Sequence, residues 1–218
     1  IVSNKFFLGL AYKLEAYLYN KSFLVTGQTQ GIVDDINRRF PKVHTMWLPN
    51  GIDKDVYAFN ETSDEWIRQY GLEEKNLYMY AGIIGHAQGL DVIIKAKSWI
   101  KEKYPEKNKE IQFVLIGDGP EKNHLIELDE EFKTGITFIP NTPKKEVMRM
   151  IKKSKGYIVP LKKLKLFLGA IPSKIFDPLA MGIPIVLGVD GEARKLFIDQ
   201  GNAGLYYEPE NHIALAEQ

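Results

Sequence analysis

At 218 residues the chain is long enough for one large domain, or for one domain and part of another. Hydrophobic residues make up 44% and charged residues 26%, a globular composition, and 29 Lys plus Arg against 28 Asp plus Glu leave a formal net charge of +1, so no global charge points to nucleic acid. The absence of cysteine excludes disulfides and thiolate metal sites and suits a cytoplasmic compartment, the four histidines show no metal-ligand spacing, and no apolar run approaches the ~18–20 residues of a membrane span.

From the N-terminus, Phe7, Leu10, Leu14, Tyr17 and Leu18 recur at three- and four-residue spacing, which predicts a helix over 4–20 with one apolar stripe whose partner surface lies elsewhere. A short strand at 23–26 leads to a helix through Ile32, Val33 and Ile36, capped by Thr26 or Thr29 and ending on Arg38 and Arg39. A strand near 43–48 closes on Pro49-Asn50-Gly51-Ile52-Asp53, a turn cluster. After a linker at 54–60 and a helix at 63–70, six strands centred on 77–81, 111–116, 136–139, 157–159, 185–187 and 205–207 alternate with helices. Short apolar strands with helices between them predict an α/β fold with a parallel sheet covered on both faces. Right-handed crossovers make it a doubly wound, Rossmann-like domain whose ligands sit at the carboxyl ends of the strands. The lysines at 101–109 and 152–155 fall at helix ends, where solvated cations are expected.

The loops after the strands carry the candidate chemistry. Between the first strand of the sheet and its helix stand Gly82, Gly85 and Gly89, which suit either a phosphate approached by backbone amides or a plain tight turn. His86 in the same loop is either a donor contact, sensitive to pH, or a surface residue. Gly117-Asp118-Gly119-Pro120-Glu121 reads as a turn into a helix start, with Asp118 as scaffold. In Pro140-Asn141-Thr142-Pro143, Thr142 suits a helix cap and Asn141 a polar contact. Lysine and leucine alternate over 161–167, which fits an anionic membrane surface, closure over a site, or solvation; the stretch 164–170 is expected to be mobile until a diphosphate orders it. Glu192 at the next helix start needs only the helix dipole to explain it.

The run GAIPSKIFDPLAMGIPIVLGVD (169–190) is the most chemically specific part of the chain. Pro172 and Ser173 signal a helix start, Ile175, Phe176, Leu179 and Ala180 recur at helical spacing, and Gly182 ends the helix before an apolar strand. Lys174 then lies in the first turn, facing the positive end of the dipole, a mismatch that makes sense if an anion binds beside it. Asp177, three residues on, can accept two hydrogen bonds from a vicinal diol. Two other readings stay open: a simple Lys174–Asp177 pair across one turn, and a helix that starts only at Pro178, with Asp177 as its N-cap.

This run resembles the donor-site motif of GT-B glycosyltransferases, in particular retaining family 4 members carrying Pro-Ser-Lys-Ile-Phe-Glu-x-x-Ala-x-Gly-x-Pro-Ile-Val. YAGIIGHAQGLD (80–91) resembles the corresponding glycine donor loop, and LPNGID (48–53) the crossing between the two domains. The resemblance covers essentially the whole chain. It implies a C-terminal remnant of the acceptor domain over 1–50 and a nucleotide-sugar donor-binding domain over 51–218. By the same resemblance Asp177, where the family writes Glu, meets the ribose; Ala170, Ile171, Pro172, Ser173 and Lys174 meet the diphosphate; Gly85, His86 and Gln88 belong to the donor loop; and Asn141 lies against the base. Two departures stand out. Gly169 replaces a second family Glu that touches the transferred sugar, and Ile83 and Gln88 stand where Arg and Lys are frequent, which shifts diphosphate neutralisation onto Lys174.

The resemblance implies an enzyme that transfers sugar, with retention, from a nucleoside-diphosphate sugar (uridine before other bases) to a glycan or lipid-linked acceptor in polysaccharide or glycoconjugate synthesis. No metal or cofactor is expected, and the location is cytoplasmic, at the inner membrane face if the Lys-Leu loop meets lipid. The chain starts mid-pattern and is read as a piece of a longer enzyme that binds nucleotide without turnover, so no catalytic residue is named. Two alternatives remain: a GT-B type sugar-nucleotide epimerase, and a non-catalytic partner subunit with a degenerate site.

Overall fold

The computed structural model describes residues 4–52 and 64–218, so Asp53, the linker at 54–60 and the first residue of the helix expected at 63–70 lie outside the described residues. The larger part is a six-stranded sheet with β3 (Asn76–Ala81), β4 (Ile111–Ile116), β5 (Thr137–Ile139), β6 (Gly156–Pro160), β7 (Ile185–Gly188) and β8 (Gly204–Tyr206). All its pairings are parallel and the order is β5-β4-β3-β6-β7-β8. That is the doubly wound order, growing outward from β3 in one direction and from β6 in the other. Two apolar layers follow: Met79, Val114, Val159, Ile175 and Leu187 pack on one face, Tyr80, Ile93, Leu115, Ile158 and Tyr207 on the other. Both faces of a parallel sheet must be covered, and these layers cover them.

The six expected strands all form, each within a residue or two of its expected limits. Differences lie in the caps and loops. Thr142 does not cap the helix Lys144–Ile151; its hydroxyl donates to the Pro140 carbonyl at 2.8 Å, and Pro143 holds the N-cap position. The helix of the organising run opens as a 3-10 turn at Ser173–Ile175 and continues as α-helix over Phe176–Ala180, so Asp177 lies inside it rather than capping it. Proline at 178 is tolerated because a residue so near a helix start donates no required bond. A 3-10 turn also forms at Lys165–Gly169, where no regular element was expected.

The first fifty residues build a smaller unit. Helix α1 (Lys5–Lys21) buries none of its residues and meets α2 (Gln30–Arg39) through Glu15 and Arg39, bonded at 2.8 and 2.9 Å, and through an edge-on Tyr19–Phe40 contact. The expected strand at 23–26 forms as β1 (Val25–Gly27), with Phe23 left 93% exposed, and pairs in parallel with β2 (Thr45–Trp47). Thr29, not Thr26, caps α2, accepting from the Ile32 amide at 3.2 Å.

This unit is bonded to the large sheet domain through the start of α2. The Thr29 hydroxyl donates to the Gly169 carbonyl at 2.5 Å, and the Gln30 and Gly31 amides donate to the two Glu192 oxygens at 2.9 and 2.7 Å. Glu192 therefore does more than face its own helix dipole: it satisfies two of the orphan amides of another helix. The approach is close enough that a Cβ at Gly31 would lie 2.9 Å from the Gly169 Cα.

Gly31→Ala supplies a direct check of that contact. Helix propensity alone favours alanine by about 1 kcal/mol, whereas overpacking against Gly169 costs about 1–3 kcal/mol. We expect the variant to be less stable in urea denaturation; a variant more stable than wild type would show the contact to be loose.

Candidate functional site

Strand order reverses between β3 and β6, and the two strands separate there. They pair only at Tyr78↔Gly156 and Met79↔Tyr157, leaving the last two residues of β3 without a β6 partner in the ladder. The Tyr157 side chain fills the gap: its hydroxyl accepts from the Ala81 amide at 2.9 Å and donates to the Ala81 carbonyl at 2.8 Å. A partly buried backbone pair is thus satisfied by one phenol, whose pKa burial raises.

Above this opening is a cleft of about 720 Å³, continuous in its lining with a second of about 280 Å³. Both are walled by Ala81, Gly82, Lys144, Lys174 and Asp177. Of the residues expected at a donor site, Gln88, Ala170, Ile171, Pro172, Ser173, Lys174 and Asp177 line the larger cleft and Asn141 lines the smaller. Gly85 and His86 instead line a separate hollow of about 190 Å³ with Glu121, His124 and Lys162. His86 has neighbours there, the Lys162 ammonium at 3.0 Å and Glu121 at 3.9 Å. Asn50 and Gln28, bonded at 3.1 Å, reach the cleft from the smaller unit.

Lys174 and Asp177 do not form the simple pair. The half-buried Lys174 donates to the Tyr80 hydroxyl at 2.6 Å, while Asp177 stands 3.5 Å from the Lys144 ammonium. Burial pushes the Lys174 pKa down to about 8. Among the described residues no carboxylate lies within ion-pair distance of Lys174. The Ala170 amide is already donated to the Phe167 carbonyl at 3.0 Å and the Ile175 amide to the Pro172 carbonyl at 3.1 Å, which leaves the amides of Ser173 and Lys174 as the first-turn donors at this corner.

The glycine loop is shaped by its neighbour turn. The Ile84 amide donates to the Asp118 carbonyl at 2.8 Å and the Glu121 amide to the Ile84 carbonyl at 3.1 Å. A Cβ at Gly117 or Gly119, both at positive φ, would strike the Gly82 or Ile84 carbonyl. Asp118 is scaffold, as its turn suggested.

Sequence reasoning passes over Lys144, Tyr80 and Tyr157. Lys144 carries the same signal as Lys174, a cation in a first helical turn. The tyrosines gave none, because each sits on a strand where a large apolar side chain is the ordinary choice.

A doubly wound sheet with a cleft at its strand reversal is a Rossmann-like fold, in which ligands bind at that crevice. More narrowly, the chain belongs to the family described as Glycosyl transferases group 1, whose profile matches residues 62–218. A comparison with curated protein sequences gives no match. Among solved structures the chain is similar to HepE of Anabaena in complex with UDP-glucose, with a TM-score of 0.76, 16% identity, and coverage of 94% of this chain and 55% of that one. Sucrose-phosphate synthase of Thermosynechococcus elongatus gives 0.75 and 16%, covering 99% and 53%. A glycosyltransferase of Rickettsia africae gives 0.71 and 16%, covering 88% and 51%. The likeness is one of fold, that of the Rossmann-like C-terminal domain of the GT-B architecture, and the chain spans about half the length of these proteins.

Tyr157→Phe tests the bridging of the strand gap. Leaving the partly buried Ala81 amide and carbonyl unpaired costs about 1–3 kcal/mol, so we expect a lower midpoint in chemical denaturation with little change in slope. An unchanged midpoint would mean that water or backbone movement meets both groups.

Proposed function

We propose that this chain is the donor-binding part of a retaining glycosyltransferase of family 4, which moves a sugar from a UDP-sugar to a glycan or lipid-linked acceptor at the cytoplasmic face of a membrane. The observation that carries the reading is the gathering of Lys174, Asp177 and the 170–173 loop around one cleft at the strand reversal. HepE, of the same fold, binds UDP-glucose, and this supports the choice of donor.

In this reading the nucleotide lies along the cleft with its base toward Asn141, its ribose on Asp177 and its diphosphate between Lys174 and the first-turn amides. Lys144, beside Asp177, adds a second cation near the phosphates. Departure of the nucleoside diphosphate leaves negative charge on the phosphates, and cations and amides already fixed in place stabilise it without reorganisation. Gln88 closes the donor-loop side, while Gly85 and His86, earlier in the same loop, face the separate hollow. Acceptor groups and the remaining catalytic groups belong to the rest of the enzyme, consistent with the share of GT-B chains that this sequence spans.

Asp177 is the sharpest test. A carboxylate bonded to two ribose hydroxyls makes charge-assisted bonds worth about 1.5–3 kcal/mol, so Asp177→Ala should weaken UDP binding roughly 10- to 150-fold. Asp177→Glu should restore part of it. Calorimetry with UDP and with 2′,3′-dideoxy-UDP separates this from a loss of fold: the wild type should prefer the ribose form and the alanine variant should not. An alanine variant that keeps the full preference would remove Asp177 from the ribose site.

A further inference from the structure

Tyr80 and Lys174 stand 94 residues apart, on β3 and on the helix that follows β6, and meet at the strand reversal. The Tyr80 side chain is wholly buried in the second apolar layer, and only its hydroxyl reaches the cleft side. That hydroxyl makes two bonds of 2.6 Å, one to the Ile83 carbonyl and one to the Lys174 ammonium. Their directions are fixed by chemistry. An ammonium only donates, so the phenol oxygen accepts from Lys174 and its single proton goes to Ile83. The same ammonium lies over the Tyr80 ring, 4.2 Å from its centroid, and a Cβ at Gly82 would come within 3.1 Å of it.

We propose that Tyr80 is a positioning residue for Lys174: its hydroxyl fixes the ammonium in the cleft beside Gly82 and ties it to the glycine loop through Ile83, so that cation and loop are set together for the donor diphosphate. This inference rests on the nucleotide-sugar reading of the cleft.

Three physical points support it. A lysine side chain has four rotatable bonds, and holding its head in one place before ligand arrives lowers the ordering cost of binding. A neutral acceptor holds the cation without cancelling its charge, whereas a carboxylate partner would compete with phosphate. The ring face adds attraction for a cation that is otherwise desolvated. Desolvation places the Lys174 pKa at about 8. Phosphate favours the charged form, so UDP affinity is level below that pH and falls as pH rises through it. Loss of the Tyr80 oxygen removes an acceptor bonded to the charged form, which moves the fall to lower pH.

The experiment is a titration of the purified chain with UDP and with uridine from pH 6 to 9.5, for wild type, Tyr80→Phe, Lys174→Met and the double variant. Tyr80→Phe should lose about tenfold in UDP affinity at neutral pH, uridine binding should stay within about twofold, and the alkaline fall should begin earlier. In the Lys174→Met background the Tyr80 change should have almost no further effect on UDP. Equal losses for UDP and uridine, an unmoved alkaline fall, or additive effects in the double variant would each overturn the inference. Lys174→Arg gives an answer independent of the stability of the Tyr80 variant: it keeps the charge but not the fit between Tyr80 and Gly82, so it should lose UDP affinity about as Tyr80→Phe does, and full affinity would show that position does not matter. Wild type that fails to bind UDP overturns the nucleotide reading itself. Wild type that binds UDP while Tyr80→Phe binds it as tightly as wild type overturns only the role of Tyr80.

Discussion

The separation of β3 from β6 is the constraint on which the rest of the molecule depends. Parallel strands that carry their crossovers to opposite sides cannot both be covered by the same loop, so a crevice opens at their carboxyl ends. Opening it exposes backbone groups that a ladder would have used, and Ala81 is where this happens. The Tyr157 phenol closes that deficit with two bonds, which lets the strands part without leaving a partly buried amide or carbonyl unmet. The cleft, the glycine loop and the helix carrying Lys174 and Asp177 all take their positions from that opening.

Charge in the cleft follows from what the opening excludes. Lys174 lies too far inside to be solvated fully, and burial lowers its pKa. Among the described residues no carboxylate comes to it, and Asp177, one turn on, stands beside Lys144 instead. Among the described residues two cations and one acid line the concave site, a balance that favours an anionic ligand carrying hydroxyl groups. Lys162 and Lys163, by contrast, belong to other contacts, one with His86 and one with Glu208.

Much of the sheet was legible because its signal is local and strong: continuous apolar runs such as Phe113 to Ile116 and Ile185 to Leu187 leave little choice besides a buried parallel strand. The helix of the organising run was legible for similar reasons, through Pro172, Ser173 and the spacing of Ile175 and Leu179. Most of the residues expected at a donor site do border one cleft. What stayed hidden were contacts set by tertiary approach. Nothing in the spacing of Tyr80 says that its hydroxyl lies under Lys174, and nothing around Glu192 says that its carboxylate accepts from Gln30 and Gly31. Thr142 shows the opposite failure: a good cap residue in a good cap position turned to the Pro140 carbonyl, because a proline already fixed the helix start.

Gly169 shows how such a hidden contact bears on the site. At the position where the resembling family writes an acid, this chain has no side chain, and its carbonyl accepts from Thr29 while its Cα lies against Gly31. A longer side chain at 169 would have to leave past the start of α2, where the Glu192 carboxylate already holds two amides. On the other flank of the same 3-10 turn, Gly191 approaches the Leu168 carbonyl so closely that a Cβ there would clash. The turn Lys165–Gly169 is thereby held between α2 and the start of the Glu192 helix, despite three leucine and lysine side chains facing solvent. Since Ala170 follows directly and hands its amide to Phe167, the shape of the 170–173 loop is inherited from that packing. Gly169 therefore lies at the joint between the first fifty residues and the loop that borders the cleft, its carbonyl held by Thr29.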